Sequence, residues 1–221
     1  MGSIIDEYRA DLAKVDFDYD LGEAEATARF QLPRDVTHRE AHSYALNYGI
    51  KHAIELQAAL SEIGDEIHKN VHVLDIGCGP GLSVKVLQEA NFNVRSYCGI
   101  DHAPAQIWLA RLLNPNHNFT TDLSVIPTIR ETALVVMNHI CAQENVSETD
   151  LKNWVHDLNR IIPTGFDLLS IEPMMNTPKQ DRFISFFAEF GHKSEVLVSA
   201  RTPGQFRYPK QTKVIRVSGS S

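Results

Sequence analysis

The sequence lacks long hydrophobic runs and has few cysteines. No apolar run in its 221 residues approaches the ~20 residues that a membrane-spanning helix needs. The amino terminus shows no charged segment followed by an apolar one, so we expect no signal peptide. The three cysteines, Cys78, Cys98 and Cys141, form no CxxC pair, which favours reduced thiols in a cytoplasmic protein with no membrane partner.

An excess of basic charge is also missing. The 21 Lys and Arg residues are outnumbered by 28 Asp and Glu residues, which gives a formal net charge of -7 at pH 7. This balance argues against a large nucleic-acid footprint. A local exception near the carboxyl terminus consists of basic residues interleaved with Phe206 and Tyr208, namely Arg201, Arg207, Lys210, Lys213 and Arg216. We interpret these as charges on an exposed edge hairpin rather than as a nucleic-acid surface.

Repeats and low-complexity tracts are absent, and the 43% hydrophobic and 22% charged residues are ordinary for a globular domain. Short β-branched runs alternate with segments of helical periodicity. The predicted strands are 71–76, 97–100, 118–121, 133–137, 166–171, 196–199 and 214–217. The predicted helices between them are 82–90, 105–113, 148–161 and 182–190. This alternation predicts a three-layer α/β fold whose mostly parallel sheet ends in an antiparallel hairpin, because no helix separates the last two strands.

The first seventy residues have a different pattern. From about residue 40 to residue 67, apolar residues recur at helical spacing, which predicts one long amphipathic helix or two. We expect residues 1–70 to form a helical extension, and residues 71–217 to form the main domain. The extension is expected to act as a lid, with Tyr44 and Tyr48 contributing to a substrate pocket. Nothing in the first thirty residues predicts a particular element.

The strongest local signal is the run VLDIGCGPG at residues 73–81, where a strand enters a glycine-rich turn before a helix. Glycines there permit positive φ and let a ligand approach the backbone closely. A dinucleotide site requires the spacing G-x-G-x-x-G, but here the third glycine comes one residue early and Leu82 occupies the required position. Asp75 would also repel a pyrophosphate, and it suits a ligand that carries an ammonium and a sulfonium.

The run resembles motif I of the class I S-adenosyl-L-methionine-dependent methyltransferases, whose pattern is (D/E)-x-G-x-G-x-G. The resemblance covers roughly residues 71–217. It implies a Rossmann-like sheet of seven strands and S-adenosyl-L-methionine as the cofactor. The motif residues that it assigns to cofactor binding are Asp75, Gly77, Cys78, Gly79 and Gly81.

Further residues match the family's pattern after the next strands. Asp101, twenty residues after Gly81, corresponds to the acid that accepts hydrogen bonds from the ribose hydroxyls, and His102 follows it near the adenine. A carboxylate suits this task because it has two acceptor oxygens. The pair Asp122 and Leu123 ends the third strand, where the family contacts the adenine. Asn138 follows the fourth strand, at the segment that faces the methyl donor in the resembled fold.

The chemistry of methyl transfer needs few special groups, since an in-line displacement from a sulfonium depends mainly on alignment and exclusion of water. We find no catalytic triad. His139 is the candidate general base, although it also suits a structural role beside the cofactor. Glu172 lies at the same sheet edge, where it could contact the acceptor or close a turn.

We expect no metal site. The histidine pairs at helical or near spacing are His38 with His42 and His68 with His72, and neither pair has an acidic or cysteine partner at a ligand spacing. We interpret them as residues of solvated surfaces.

Three functions remain open at this point. The first is methyl transfer to an oxygen or nitrogen of a small molecule, which the modest length and acidic balance favour. The second is methylation of RNA, DNA or protein; the segment after the fourth strand, Asn138-His139-Ile140-Cys141, has no NPPY-type motif for a nucleobase amino group. The third is a non-catalytic module that kept the fold. The sequence does not specify an oligomeric state.

Overall fold

The computed structural model describes residues 4–15, 36–63, 66–140, 146–174, 177–202 and 210–218. The helices are α1 Ile4–Lys14, α2 His38–Tyr44, α3 Ile50–Ile63, α4 Ser83–Glu89, α5 Pro104–Leu113, α6 Glu148–Ile161 and α7 Thr177–Glu189. The strands are β1 Asn70–Ile76, β2 Asn93–Ile100, β3 Asn118–Thr120, β4 Ala133–Asn138, β5 Gly165–Pro173, β6 Lys193–Thr202 and β7 Lys210–Ser218. Within these ranges, no helix is both long and apolar enough to traverse a bilayer.

All seven strands belong to one sheet with the order β3-β2-β1-β4-β5-β7-β6. Strands β1 to β5 pair in parallel, and β7 inserts between β5 and β6 and pairs antiparallel with both. The predicted fold class and its antiparallel ending are therefore confirmed. The strands in the structure are mostly longer at their ends than the runs of apolar residues, because ladder pairing continues into polar residues.

Alternating side chains of the central strands fill two separate cores. On one face Val71 and Val73 of β1 pack with residues of α1, α3, α4 and α5, whereas on the other face Leu74 and Ile76 pack with residues of α6 and α7. A strand buried on both faces needs apolar residues at successive positions, and β4 is buried throughout from Ala133 to Met137. This arrangement leaves the sheet edges as the places where polar side chains can gather.

The amino-terminal helices belong to the first of these cores. Thr37 begins α2 with a capping box to Glu40, and helical structure then continues to the end of α3 through a π-helical turn, Ala45–Gly49. Two helical segments are thus confirmed, and they end at Ile63, four residues before the predicted end. Helix α1 was not predicted from the sequence. Because its Tyr8 and Leu12 share a hydrophobic cluster with β1, the domain boundary at residue 70 stays a prediction.

The basic residues near the carboxyl terminus do not form the exposed edge that the sequence suggested. Strand β7 is an inner strand, so Lys210 and Lys213 are buried, at 2% and 8% exposure. Lys213 pairs with Asp181, and Arg216 donates to Asp167 at 2.9 Å. The interpretation as edge charges was therefore wrong for these residues. Arg201 is exposed on β6, and Phe206, Arg207 and Tyr208 lie outside the described residues.

Candidate functional site

The predicted site residues follow the carboxyl ends of the parallel strands, and these ends lie side by side. In the sheet register Ile76 at the end of β1 pairs with Ile100 of β2 and Met137 of β4. Ile100 in turn pairs with Thr120 of β3, and Asn138 pairs with Ile171 of β5. Ligands in open parallel sheets bind at this edge, where the helix amino termini also point. The edge is therefore the candidate site.

The glycine loop that leaves β1 is fastened to β2 and needs its glycines. The amide groups of Gly77 and Cys78 both donate to the carbonyl of Ile100, at 2.7 and 3.0 Å. Gly77, Gly79 and Gly81 have φ of 72°, 50° and 75°, in the left-handed region that L side chains rarely adopt. The Cys78 thiol is buried inside the loop and donates to the Gly79 carbonyl at 3.4 Å. The loop thus presents its backbone to the sheet edge.

Asp101 stands directly beside this loop. Its Oδ2 accepts from the Gly79 amide at 3.0 Å, and its Oδ1 accepts from the Ala103 amide at 2.9 Å. Burial raises the pKa of the Asp101 carboxyl, while these two amides and the charge of His102 oppose that rise. Each carboxylate oxygen has two lone pairs, so both can accept a further hydrogen bond from a diol. His102 is exposed, with Nδ1 3.5 Å from Asp101 Oδ1.

Asp75, the acid before the first glycine, lies beneath the loop instead of on its surface. It is 1% exposed, and it accepts hydrogen bonds from the hydroxyls of Tyr97 and Ser83. Burial raises the pKa of this carboxyl to about 6, against the lowering effect of the two hydroxyls. Asp75 therefore joins β1, β2 and the start of α4. Its direct contact with a cofactor stays a prediction.

The residues assigned to the adenine and to the methyl donor lie along the same edge. Asp122 is exposed and caps a 3-10 turn, Leu123–Val125, by accepting from the Ser124 amide at 2.8 Å, and this hydrogen bonding lowers the pKa of its carboxyl. Leu123 is buried. Asn138 is half-buried and donates from Nδ2 to the carbonyl of His52 at 3.0 Å. The amino-terminal helices therefore reach the end of β4.

Tyr44 covers the glycine loop from the side of α2. Its ring carbon Cε1 lies 3.8 Å from the position that a Cβ on Gly79 would occupy. Burial raises the pKa of the Tyr44 hydroxyl, and the nearby charge of Asp101 adds to the effect. The Tyr48 ring lies 5.5 Å from the Tyr44 ring, and the Lys51 ammonium lies 5.3 Å from the Tyr48 ring centre. The two tyrosine rings therefore lie together beside the glycine loop, and their roles in a lid and in a substrate pocket stay predictions.

His139, the candidate base, is held in a buried cluster that sequence reasoning missed. It is 3% exposed, its φ of 61° is left-handed, and its Nε2 lies 2.7 Å from Oε2 of Glu55. The His52 ring stacks on the His139 ring with centroids 4.3 Å apart. Lys210 places its ammonium 3.5 Å from the other oxygen of Glu55. The signal that would have indicated the cluster is the three-residue spacing of His52 and Glu55 on one helix face.

Other polar residues of the sequence analysis have structural partners. Glu172 is fully buried on β5, and its charge raises the pKa of Lys210 against the lowering by burial. His42 is not solvated as expected, since it is 2% exposed and its Nε2 lies 2.9 Å from the carbonyl oxygen of Leu12. His38 stacks on Trp108 at 4.1 Å, and His72 bonds to Ser96 at 2.7 Å.

The geometry at this edge fits S-adenosylmethionine. Among the described residues, only the Tyr44 ring comes within 4 Å of a Cβ placed on Gly79, so the loop leaves room for a ligand against its backbone. Asp101 offers two acceptor oxygens beside that room. The helix after the loop directs its first amides toward the same edge, which favours an electron-rich group such as a carboxylate. A nucleoside joined to an amino acid meets all three features.

Comparison with solved structures identifies the fold. The magnesium protoporphyrin IX methyltransferase from Synechocystis PCC 6803, determined with bound S-adenosylmethionine, matches with a TM-score of 0.52 and 12% identity over 100% of this chain and 99% of that one. The ribosomal protein L11 methylase from Lactobacillus delbrueckii subsp. bulgaricus matches with a TM-score of 0.51 and 12% identity, over 76% and 80%. A TehB-like S-adenosylmethionine-dependent methyltransferase from Corynebacterium glutamicum gives 0.50 and 16% identity, over 76% and 89%.

The chain therefore has the Rossmann-like fold of the class I methyltransferases. No protein-family model matches the sequence, and the comparison with curated proteins finds no relative. At 12% to 16% identity, these likenesses establish the fold. The reaction has to be inferred from the site itself.

Proposed function

We propose that the protein transfers the methyl group of S-adenosylmethionine to an oxygen or nitrogen of a small molecule. The observation that carries the proposal is the pairing of the glycine loop with Asp101 through the 3.0 Å hydrogen bond from the Gly79 amide. This contact sets an acceptor for a ribose diol beside a backbone surface that a nucleoside can approach. A protein that had lost the cofactor would have little need for this arrangement.

In this proposal, different residues of the sheet edge bind different parts of the cofactor. Asp101 holds the ribose hydroxyls, and the loop from Gly77 to Gly81 receives the amino-acid part. His102, Asp122 and Leu123 contact the adenine, since they follow the next two strands. Asn138 faces the methyl donor from the end of β4.

For methyl transfer itself, the protein has to align the methyl donor with the acceptor and exclude water. S-adenosylmethionine supplies an electrophilic methyl group and a good leaving group. Tyr44 lies against the glycine loop with Tyr48 beside it, and we infer that the two rings shield the edge from water. The small-molecule assignment is supported by this cover and by the net charge of -7, because a large or anionic polymer would have to displace the helices. Glu172 stays a candidate for acceptor contact.

The role of His139 as general base stays a prediction. Burial, with the charge of Lys210, lowers the pKa of its imidazole well below the usual range, which keeps the ring neutral but makes it a weak proton acceptor. It is also only 3% exposed, and its Nε2 lies 2.7 Å from Oε2 of Glu55. An acceptor can reach it only after α3 shifts. A nitrogen acceptor needs no such base.

The experiment that tests the proposal is calorimetric titration of the full chain with S-adenosylhomocysteine, with NAD as the control ligand. We expect binding of the first with a Kd near ~1–10 μM, corresponding to about 7–8 kcal/mol, and no binding of the second. Failure of S-adenosylhomocysteine to bind would overturn the proposal. It would leave a protein that uses the methyltransferase fold for another purpose.

The sharpest variant is Asp101→Asn, which keeps the size of the side chain and removes its charge. Loss of a charge-assisted hydrogen bond costs about 1.5–3 kcal/mol, so the affinity for S-adenosylhomocysteine should fall roughly 10–100-fold. Asp157→Asn is the matched control, because Asp157 is a surface acid of α6 that pairs with Arg160 at 3.6 Å. Equal affinities of the two variants would show that Asp101 is not the ribose acceptor.

A further inference from the structure

The buried cluster beside the cofactor site contains the donor set of a metal centre. One Nδ1 or Nε2 atom from each of His52 and His139 and one carboxylate oxygen of Glu55 all lie within 4.8 Å of one another. Two imidazoles and a carboxylate are ligands that Zn²⁺ and other divalent transition metals accept together. We propose that His52, Glu55 and His139 bind a divalent transition metal ion of the Zn²⁺ class.

The arrangement of the three side chains suits a common ion. His52 and Glu55 project from the same face of α3, and His139 approaches from the end of β4. The two imidazole rings are already in contact, with centroids 4.3 Å apart and an interplanar angle of 27°. Zinc bond lengths of about 2.0–2.2 Å place tetrahedral ligand atoms roughly 3.3–3.6 Å apart. To reach that spacing, Nε2 of His139 and Oε2 of Glu55, now 2.7 Å apart, would separate slightly, and any pair near the 4.8 Å limit would move closer by about 1 Å.

The charge of the cluster favours a cation. Glu55 and Glu172 are buried carboxylates, and Lys210 is the buried ammonium that faces both of them. Two buried carboxylates therefore face one buried ammonium in this cluster. The negative charge of the carboxylates would stabilise a divalent cation bound among these side chains.

The two carboxylate oxygens of Glu55 contact different neighbours. Oε1 lies 3.5 Å from the Lys210 ammonium, whereas Oε2 faces Nε2 of His139 at 2.7 Å. Metal entry would replace the hydrogen bond between Nε2 and Oε2 by two metal–ligand bonds, with the imidazole proton held on Nδ1. On the opposite side, Nδ1 of His52 lies 3.5 Å from the Tyr44 hydroxyl, a contact of the kind that orients a metal-binding imidazole.

The backbone of His139 gives an independent indication of a functional position. Its φ of 61° lies in the left-handed region that residues with a side chain rarely adopt, and its amide donates to the carbonyl of Ile171 at 2.8 Å. Strained positions of this kind cluster at ligand sites, where the surrounding structure maintains them. The strain directs the imidazole toward α3 instead of along β4.

The test is metal binding, which does not depend on methyl transfer. Purified chain is stripped with a chelator, loaded with ZnCl₂, desalted and measured by inductively coupled plasma mass spectrometry. We expect about one zinc per chain for the wild type, and less than a tenth of that for His52→Gln. His42→Gln is the matched control, since His42 is a buried histidine of the adjoining helix that bonds to Leu12. Equal zinc content in the wild type and both variants, or none in the wild type, would overturn the proposal.

A second measurement on the wild type avoids any question of whether a variant folds. The X-ray absorption fine structure of the zinc-loaded chain should show nitrogen and oxygen ligands at about 2.0–2.2 Å, with the scattering pattern of two imidazoles. A sulfur shell at about 2.3 Å would place the ion on cysteines and contradict the site. S-adenosylhomocysteine binding without zinc binding would disprove the metal site and leave the proposed function. Zinc binding without S-adenosylhomocysteine binding would disprove the proposed function and leave the metal site.

Discussion

At the scale of single residues, Asp75 couples the site to the stability of the whole chain. Its carboxyl has a pKa of about 6 in the folded state because burial disfavours the charge, against 3.8 in the unfolded chain. Below pH 4 the group is protonated in both states. As the pH rises toward and past 6, the unfolded state releases its proton first, so the stability of the fold decreases by about 3 kcal/mol.

The variant Asp75→Asn removes this titration while keeping an oxygen that can accept from Tyr97. The free energies of unfolding of variant and wild type, measured by urea at several pH values, should therefore diverge in favour of the variant between pH 4 and 7. The expected divergence is about 3 kcal/mol. Parallel curves would mean that Asp75 is ionised in the fold over that whole range.

Gly77 tests how far the loop depends on glycine. A Cβ there would lie 1.8 Å from Cδ1 of Ile140 and would also have to accept a φ of 72°. Gly191 has a similar φ of 81° with nothing described within 4 Å, so Gly191→Ala isolates the backbone cost of about 1–2 kcal/mol. Gly77→Ala should cost a further ~1–3 kcal/mol in urea unfolding, because Ile140 must move. The same loss in both variants would refute the close packing of this loop.

At the scale of elements, helix α1 is the clearest departure from the sequence analysis. It is only eleven residues long, and its stability comes from packing, since an isolated helix of that length is marginal in water. Leu12 is fully buried, and Asp11 accepts from Lys85 of α4 at 2.7 Å. Ile4, Tyr8, Leu12 and Val15 recur at helical spacing, so the sequence carried a signal for this helix that the sequence analysis did not use.

The variant Leu12→Ala should lower the free energy of unfolding by about 2–5 kcal/mol, as expected for a leucine in a closed core. Arg9→Ala on the exposed face of the same helix is the control, and it should change stability by less than about 0.5 kcal/mol. Urea unfolding followed by circular dichroism measures both. A loss below about 1 kcal/mol for Leu12→Ala would separate α1 from the core.

At the scale of the whole molecule, the sequence was sufficient to predict features that depend on residues close together in the chain. The mostly parallel sheet, its antiparallel ending, the glycine loop and the position of Asp101 all follow from short motifs and from the alternation of strands and helices. The insertion of β7 between β5 and β6 does not, and for that reason Lys210 and Lys213 were expected on the surface. The contact between Glu55 and His139 joins residues 84 positions apart. Contacts between residues so far apart in the chain produce no periodic pattern in the sequence.

The π-helical turn Ala45–Gly49 has a geometric consequence for every residue after it. Each residue of a regular α-helix rotates the side-chain direction by about 100°. A π-helical turn contains one additional residue, so the residues after it no longer follow the 100° pattern set by the residues before it. A helical wheel drawn continuously from His38 to Ile63 would therefore assign His52 and Glu55 to the wrong face. Removing one residue from this turn would rotate α3 by about 100° about its axis and would carry the side chains of His52 and Glu55 away from β4.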